Sequence, residues 1–339
     1  MYSAKSINIS SIVTVVPDNR IIIDDERNLY SWTDDQLKKI KLNIGINERR
    51  VTSNNQTTFD LMQHAADKMF FGLSIDPSEV DAIICVTQTP DYLQPGNSFL
   101  IHSSFSFRKD ILTLDINSGC SGFVNGLSQA SALINNYKMK KVLLLCGDTI
   151  SKLVNRNDQG VAPLFGDAAS CILIEPSDEG LDFFSFGTDG SGHESLIVKD
   201  RGFRHLSSEK PPILSMNGNK VMLFSITEEP KDVLKLLDYS QLEIEDIDYF
   251  VMHQANKYIL NNIAKRIKIP MNKFLHDSFS LYGNTSSASI PLAISNDLNT
   301  SIENKETKFL LSGFGVGLSW ISIVNTSILR HCPEPIIIS

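Results

Sequence analysis

A cysteine set among small residues is the residue of this sequence best suited to covalent chemistry. Cys120 lies in the turn Asn117–Gly122, between the apolar run Ile111–Ile116 and a helical pattern. The free N–H groups at a helix start and the positive end of the helix dipole favour a thiolate, the nucleophilic form of cysteine. Gly119 and Gly122 permit a sharp turn and leave room for a substrate. Cys120 is therefore a candidate nucleophile, although a buried structural cysteine would fit the same turn.

Two polar residues in the second half of the chain lie at similar junctions. His253 directly follows the apolar run Tyr249–Met252, and open α/β sheets bind ligands at the carboxyl ends of their strands. Asn284 lies just before a helical pattern that begins near Ser287. In the order of elements, its turn corresponds to the turn that holds Cys120 in the first half. That match predicts that Asn284 projects into the same cleft as Cys120, although it could be no more than a helix N-cap.

A glycine-rich loop, a second histidine and three further cysteines are weaker candidates. Gly313–Gly317 fits neither spacing of the common phosphate-binding motifs, but its backbone amides could serve as an oxyanion hole. His193 lies in another glycine-rich segment and is a weaker candidate than His253. Three cysteines lie inside apolar strand patterns and are predicted to be structural: Cys85, Cys146 and Cys171.

Two halves with the same order of elements are predicted to position these residues. Short apolar runs alternate with longer helical patterns, which is typical of an α/β fold. The predicted strands are Ala82–Thr87, Ile111–Ile116, Lys141–Gly147 and Ala169–Glu175 in the first half, and Tyr249–Met252, Lys308–Ser312 and Leu318–Asn325 in the second. We expect an N-terminal unit over residues 1–177 with the nucleophile and a C-terminal unit over residues 178–339 with His253 and Asn284. Residues 178–212 are predicted to form a connecting region with an exposed loop.

The composition excludes several classes of protein. The 339 residues carry a net charge of −8, and this acidic balance argues against nucleic-acid binding. No apolar run approaches the roughly 18 residues of a membrane span, and the start of the chain lacks the continuous apolar stretch of a signal peptide. The five cysteines are spread without CxxC spacing. This pattern predicts reduced thiols in the cytoplasm, with neither disulfides nor a metal site.

Several segments together resemble the thiolase-fold condensing enzymes, most closely β-ketoacyl-acyl-carrier-protein synthase III. The segments are Asn117–Gly126, His253–Asn256, Tyr282–Ser286, Gly313–Trp320, Gly45–Arg50 and Phe165–Ala168. A cysteine, a histidine and an asparagine in this order, each in its own motif, resemble the Cys-His-Asn subgroup of these enzymes. The resemblance covers nearly the whole chain and implies a thiolase-like, five-layered α-β-α-β-α fold of two similar halves.

The resemblance implies that Cys120, His253 and Asn284 are catalytic and that no metal or other cofactor takes part. Cys120 would accept an acyl group from a thioester, and the N–H groups of Cys120 and Val316 would form the oxyanion hole. A malonyl thioester would then lose CO₂ while His253 and Asn284 donate hydrogen bonds to its thioester oxygen. This role requires a neutral histidine, whose pKa burial would lower. The product would be a β-ketoacyl thioester.

Two other functions remain open at this point. The same three residues could serve an acyltransferase that moves the Cys-bound acyl group to a hydroxyl or an amine without decarboxylation. The chain could also be a non-catalytic partner subunit of a synthase pair. Such subunits usually lose the nucleophile, whereas this sequence retains Cys120.

The chain departs from the family pattern at positions where family members hold coenzyme A. Lys39 and Asn43 stand where a tryptophan and an arginine help to hold the adenine. Gln159 and Tyr258 stand where basic residues are usual. We therefore expect the acyl donor to be an acyl-carrier protein, or coenzyme A held differently. These departures favour a specialised lipid or secondary-metabolite pathway over the housekeeping start of fatty-acid synthesis.

Partners are expected on two surfaces. An acidic carrier protein needs a basic patch on this acidic chain. The predicted patch lies on the helix after His253, although its members could form only a solvated helix face: Lys257, Lys265, Arg266 and Lys268. The resemblance also implies a homodimer in which Tyr92–Pro95 reaches the acyl pocket of the partner. The tail Ser327–Ser339 extends beyond the usual end of family members and is assigned no role.

Overall fold

Strands and helices alternate along the chain in the computed structural model, which describes residues 1–200, 202–205 and 210–339. The strands are β1 Tyr2–Pro17, β2 Arg20–Ile22, β3 Glu48–Arg50, β4 Ala82–Val86, β5 Leu112–Ile116, β6 Val142–Asp148, β7 Ala168–Thr188, β8 Leu196–Val198, β9 Leu214–Met216, β10 Tyr249–Met252, β11 Phe274–Leu275, β12 Glu306–Gly315, β13 Ser319–Ile328 and β14 Ile336–Ile338. The helices are α1 Asp34–Asn43, α2 Thr58–Leu73, α3 Asn97–Ser104, α4 Gly122–Tyr137, α5 Gly218–Ser240, α6 Lys257–Ile267, α7 Phe279–Tyr282 and α8 Ser289–Asp297.

One sheet runs through both halves of the molecule, in the strand order β11-β10-β12-β13-β7-β6-β4-β5, with β1 paired to β7. The long strand β7 belongs to both halves, since its first part pairs with β6 and its last part pairs with β13. The first half therefore has the order β5-β4-β6-β7-β1, and the second half has the matching order β11-β10-β12-β13-β7. In each half two parallel pairs are followed by two antiparallel pairs. This match confirms the predicted duplication.

Helices cover both outer faces of the sheet and fill the space between its halves. α4 and α8 form the central layer, where their apolar faces pack against strands of both halves. α2 and α3 cover the outer face of the first half, and α5 and α6 cover that of the second. The layers follow the predicted order α-β-α-β-α. Among the described residues, no helix is long and apolar enough to cross a membrane.

The segment after residue 177 differs from the prediction. Residues 178–188 continue β7 instead of opening a connecting region, and the pairing with β1 is irregular between Pro176 and Leu181. Polar residues at this irregularity interrupt the apolar pattern, which explains why the sequence resembles a loop there. The predicted boundary between residues 177 and 178 falls within this strand and stays a prediction. Residues 201 and 206–209 of the predicted connecting region lie outside the described residues.

The C-terminal segment, which the sequence left without a role, adds a strand to the sheet. β14 runs parallel to the end of β1, with Ile336–Ile338 opposite Val15–Pro17. Between β13 and β14, the side chain of Cys332 is fully buried, and its backbone N–H donates to the Glu303 carboxylate at 2.7 Å. The segment therefore covers the outer edge of β1 and is anchored by burial as well as by hydrogen bonds.

A buried polar cluster joins α5 to the sheet of the second half. Ser322 donates to one carboxylate oxygen of Asp232 at 2.7 Å, and Ser185 donates to the other. The hydroxyl of Ser312 lies 2.7 Å from that of Ser322. Glu229, one turn before Asp232 on α5, is fully buried in the same cluster. Burial raises the pKa of Glu229 to about 8, so its carboxyl group keeps its proton at neutral pH.

Replacing Glu229 by glutamine is expected to stabilise the protein at high pH. An unfolded glutamate releases its proton near pH 4.5, whereas folded Glu229 keeps it until about pH 8. The stability linked to this proton is therefore complete below pH 4.5 and is lost as the pH rises through 8. We expect Glu229→Gln to melt within about 1 °C of the wild type at pH 5 and roughly 2–5 °C above it at pH 9.

The neighbouring Glu228 provides a matched control for this measurement. Its side chain is partly exposed and forms an ion pair with Lys231 at 2.8 Å. Surface pairs of this kind contribute little to stability. Glu228→Gln should therefore melt close to the wild type at both pH values. Equal melting temperatures of Glu229→Gln and the wild type at pH 9 would contradict the prediction.

Candidate active site

Cys120 lies in a sharp turn between β5 and α4, where the sequence predicts a strand-to-helix junction. β5 ends at Ile116, and α4 begins at Gly122, whose N–H donates to the carbonyl of Gly119 at 2.6 Å. A Cβ on Gly122 would lie 2.5 Å from the side chain of Val86, so the first turn of α4 approaches β4 too closely for a larger residue. Cys120 itself is only 7% exposed.

Burial controls the protonation of the Cys120 thiol. Together with a smaller effect of the Asp148 carboxylate, burial raises the pKa of Cys120 to about 12. Hydrogen bonds from the N–H groups of Cys120 and Val316 and from the hydroxyl of Ser286 lower the pKa by less. The N–H groups at this turn thus favour the thiolate as expected, but burial outweighs their effect in the resting protein. With its pKa raised in this way, Cys120 is a neutral thiol at neutral pH.

His253 follows β10 and is held by the neighbouring strand and by a serine. Its N–H donates to the carbonyl of Ser312 at 2.8 Å, which continues the pairing of β10 with β12. Its Nδ1 lies 2.8 Å from the hydroxyl of Ser289 at the start of α8, and the ring of Phe314 packs edge-on at 5.5 Å. Burial lowers the pKa of His253 to about 3, so the imidazole is neutral, which the implied role requires.

Asn284 lies in the turn between α7 and α8. Its backbone N–H donates to the carbonyl of Leu164 at 2.8 Å, and its carbonyl accepts from the N–H of Gly166 at 3.1 Å. The side-chain Oδ1 accepts from the N–H of Ser286 at 2.9 Å, which leaves the NH₂ group free to donate to a ligand. The N-cap of the short 3-10 turn that follows is Thr285, so Asn284 is not a helix N-cap.

A buried carboxylate that the sequence analysis missed connects these turns. Asp148, at the end of β6, accepts from the N–H and the hydroxyl of Ser287 at 3.1 and 2.7 Å. It also accepts from the N–H of Gln88 at 2.7 Å. These bonds tie the turn after Asn284 to the ends of β4 and β6. An aspartate at the end of a strand pattern is also a common turn residue, so no sequence signal distinguished it.

The loop that connects β12 to β13 packs against the Cys120 thiol. β12 ends at Gly315, and Val316 begins the connection. A Cβ on Gly313 would lie 2.8 Å from the carbonyl oxygen of Cys120, and one on Gly315 would lie 2.9 Å from the Cys120 Sγ. Only glycine permits this approach, which puts the N–H of Val316 within hydrogen-bonding reach of the thiol.

A cavity of about 380 Å³ opens onto these groups. The structure brings Cys120, His253 and Asn284 together along its wall, and their catalytic roles stay predictions. The cavity reaches the surface at polar but uncharged side chains, including three that are exposed: Asn43, Asn219 and Tyr258. No lysine or arginine is found among the described residues that line it.

The remaining candidates lie away from this cavity. His193 is exposed, and its Nδ1 lies 3.2 Å from the carbonyl of Gly190. The cysteines predicted to be structural are fully buried and unpaired: Cys85, Cys146 and Cys171. The position of Cys120 at a turn, rather than within a strand, therefore distinguishes it from these three.

The basic residues predicted to dock a carrier protein lie at two ends of α6. Lys257 begins the helix near the cavity mouth, and its N–H donates to the carbonyl of Ile44 at 2.9 Å. Lys265 and Arg266 lie in the last turn, about 12 Å along the helix axis from Lys257. Lys268 follows the helix in a left-handed conformation, with φ of 67°, so it lies outside the regular helix face.

Two lysines of α1 lie near Lys257, close to the cavity. Lys38, Lys41 and Lys257 line a common surface cleft of about 460 Å³. Lys41 forms an ion pair with Asp24 at 2.7 Å. The sequence does not indicate this group, because α1 and α6 are far apart in the chain and meet only in the folded protein.

Substituting Gly315 by alanine is expected to disturb the thiol while leaving the fold intact. The added Cβ would lie 2.6 Å from Cβ and 2.9 Å from Sγ of Cys120, so the thiol must move. A misplacement of about 1 Å can slow a reaction about 100-fold. We expect that loss in the rate at which Cys120 takes up an acyl group, measured by intact mass. Gly190→Ala, whose Cβ would meet no atom within 4 Å, is the control. Wild-type reactivity of Gly315→Ala would refute the close packing.

Comparisons with known sequences identify related proteins over almost the whole chain. Family models described as 3-oxoacyl-[acyl-carrier-protein (ACP)] synthase III and its C-terminal part match residues 114–190 and 237–326. A putative 3-oxoacyl-[acyl-carrier-protein] synthase 3 of Campylobacter jejuni is 33% identical, over 93% of this chain and 92% of that protein. A β-ketoacyl-[acyl-carrier-protein] synthase III of Streptococcus uberis is 35% identical, over 90% of this chain and 94% of that protein.

The fold of a solved structure agrees with these matches. The crystal structure of a 3-oxoacyl-(acyl-carrier protein) synthase from Burkholderia xenovorans LB400 has a TM-score of 0.93 to this chain. The two sequences are 31% identical, and the structural match covers 99% of this chain and 98% of the Burkholderia chain. The resemblance drawn from the motifs is thereby confirmed, and the chain belongs to the 3-oxoacyl-[acyl-carrier-protein] synthase III family of acyltransferases.

Proposed function

We propose that the protein is a condensing enzyme that forms a β-ketoacyl thioester from a Cys120-bound acyl group and a malonyl thioester. The reaction is a decarboxylative Claisen condensation. Its main support is the single cavity lined by the Cys120 thiol, the neutral imidazole of His253 and the amide of Asn284. The N–H of Val316 next to the thiol supplies a second backbone donor for an oxyanion.

The first proposed step transfers the acyl group to Cys120. The sulfur attacks the carbonyl carbon of an acyl thioester, and the carbonyl oxygen accepts hydrogen bonds from the N–H groups of Cys120 and Val316. The bond between the acyl carbon and the donor sulfur then breaks. The thiol proton of Cys120 passes to the departing thiolate, so the enzyme needs no additional base at this step. Burial of Cys120 limits hydrolysis of the acyl-enzyme by water.

The second proposed step condenses the acyl group with a malonyl thioester. In the tautomer that this step requires, Nδ1 of His253 accepts from the Ser289 hydroxyl, 2.8 Å away, and the ring proton lies on Nε2. Nε2 and the NH₂ group of Asn284 donate to the malonyl thioester oxygen while the bond to the carboxylate breaks and CO₂ leaves. The resulting enolate carbon attacks the acyl carbonyl, the bond to Cys120 sulfur breaks, and the thiolate recovers a proton from water. The mechanism proposed uses no metal or redox cofactor.

We propose an acyl-carrier protein as the preferred donor. The phosphates of coenzyme A call for cations, whereas no lysine or arginine is among the described residues that line the cavity, and Lys38 and Lys257 line a neighbouring cleft instead. Gln159 accepts a hydrogen bond of 2.8 Å from the indole of Trp32, which is itself buried and unavailable to stack on an adenine. These features also support a place in a specialised lipid or secondary-metabolite pathway.

Lys38 and Lys257 are proposed as carrier-protein contacts. Both line the cleft next to the cavity mouth, where an acidic carrier would deliver its thioester arm. Lys265, Arg266 and Lys268, at the far end of α6, remain predicted contacts of the same partner. Their distance from the mouth makes them candidates for orientation of the carrier rather than for contact with its arm.

A homodimer and a cytoplasmic location complete the proposal. Tyr92 and Leu93 are 59% and 73% exposed, in the loop Tyr92–Pro95. β5 lies at one end of the strand order, and its residue Leu112 is 41% exposed. Exposed apolar loops and unpaired edge strands are surfaces that a second copy would cover. The five free cysteines support a reducing compartment.

The two proposed steps can be tested separately. After incubation with acyl-CoA or acyl-carrier protein, the wild type should gain the mass of one acyl group, and Cys120→Ala should remain unmodified. His253→Ala and Asn284→Ala should still accept the acyl group. With malonyl-carrier protein, both variants should release CO₂ about 100-fold more slowly than the wild type, because the enolate loses a hydrogen-bond donor.

The other functions predict different results. Acylation without malonyl-dependent CO₂, together with transfer of the acyl group to a hydroxyl or an amine, would establish the acyltransferase alternative. A wild type that no donor acylates would favour the non-catalytic partner subunit. In either case the condensation mechanism would have to be abandoned.

Charge reversal in the cleft should weaken use of the carrier protein. We expect Lys38→Glu/Lys257→Glu to raise KM for an acyl-carrier protein about tenfold, because rim charges act on encounter and docking. KM for the same acyl group on a pantetheine thioester should not change. Lys265→Glu/Lys268→Glu makes the same change in charge at the far end of α6 and should raise KM less, because these residues would orient the carrier rather than contact its arm. If only this second variant raises KM, the docking surface lies there instead.

A further inference from the structure

Three serine hydroxyls connect the turn that carries the nucleophile to the loop that carries the second oxyanion donor. The Oγ of Ser118 lies 3.3 Å from that of Ser121, which in turn lies 2.8 Å from the Oγ of Ser319. The Ser319 hydroxyl donates to the carbonyl of Val316 at 2.8 Å. Ser121 is the residue directly after Cys120 and is 1% exposed, so water does not compete for its hydroxyl.

The donor and acceptor of each hydrogen bond among these serines follow from the number of hydroxyl protons available. Each hydroxyl has one proton to donate, and the carbonyl of Val316 can only accept. The proton of Ser319 is therefore used on Val316, and Ser121 must donate to Ser319. Ser118 in turn donates to Ser121. All three bonds point the same way, and hydrogen bonds in such a chain polarise and strengthen one another.

The hydrogen-bond chain ends on the backbone of Val316, whose side chain packs against a buried apolar cluster. Val316 lies between Gly315 and Gly317, and glycine leaves the backbone more freedom than any other residue. Its N–H must stay close to Cys120 to act on a developing oxyanion, where a donor is effective only at about 2.7–3.1 Å. The bond from Ser319 fixes the carbonyl side of Val316, and Ser121 anchors Ser319 to the nucleophile turn itself.

We propose that Ser121 and Ser319 are positioning residues for the oxyanion hole, which they hold at a constant separation by joining the Cys120 turn to the carbonyl of Val316. The inference rests on the proposed function, since it assigns a role within the acylation step. Neither serine touches the reacting atoms. Their effect is on the rate of that step rather than on the binding of the donor.

The test compares the acylation rates of serine variants by rapid mixing and intact mass. Ser319→Ala should acylate about tenfold more slowly than the wild type, with half-saturating donor concentration unchanged within about twofold, because one oriented hydrogen bond is lost. Ser319→Thr keeps the hydroxyl and should restore the rate to within about threefold. Ser121→Ala/Ser319→Ala should be no slower than Ser319→Ala, because both residues act through the same bond to Val316.

A second measurement follows the loop directly. Amide hydrogen exchange in a peptide covering residues 313–320 should be faster in Ser319→Ala than in the wild type, while the melting temperature stays within about 1 °C. Ser319→Thr should exchange like the wild type. A general loss of structure would instead accelerate exchange throughout the chain and lower the melting temperature.

The outcomes separate this inference from the proposed function. If the wild type is acylated and Ser319→Ala is acylated at the same rate, the positioning role is refuted while the condensing function stands. Independent, multiplying losses in Ser121→Ala and Ser319→Ala would also refute a shared chain. If no donor acylates the wild type, the proposed function and the inference both fail.

Discussion

The contact between the backbone of β12 and the turn that carries Cys120 sets the geometry of the whole site. The two segments come from different halves of the chain, yet a Cβ on Gly313 or Gly315 would overlap atoms of Cys120. Such close packing requires a rigid frame on both sides. The central helices α4 and α8 supply it, because each packs against strands of both halves. The duplicated fold thus holds the Cys120 turn and the end of β12 in direct van der Waals contact.

Burial then determines the electrostatic character of the groups brought together. It raises the pKa of Cys120 to about 12 and lowers that of His253 to about 3, and both effects keep the side chains uncharged. The same loss of solvent raises the pKa of Asp148, although hydrogen bonds from Ser287 oppose this shift. The site therefore relies on oriented dipoles, namely backbone N–H groups, an imidazole and an amide. Such dipoles act most strongly where water is excluded.

The parts of this site that the sequence predicts are those with a local signal. Cys120 and His253 follow apolar strand patterns, and Asn284 could be placed by the duplication. Asp148 and Ser289 could not be found in this way, because their roles depend on contacts with residues far away in the chain. Serines are abundant in turns for local reasons, so a hydroxyl chain has no spacing of its own. The sequence also predicts β7 to end at Glu175 instead of Thr188, because polar residues interrupt its apolar pattern.

The C-terminal strand has a consequence for how copies of this protein can associate. A sheet with two open edges could add chains without limit, as in a fibre. Here β14 covers β1 and is preceded by Pro333 and Pro335, which cannot donate backbone hydrogen bonds. At the far end of the strand order, β11 pairs over only two residues. Of these edges, β5 offers the longest open strand, and pairing of β5 with its own copy would bury that edge in both molecules. The edges left open, at β14 and β11, are strands of only three and two residues and offer little for a further strand to pair with.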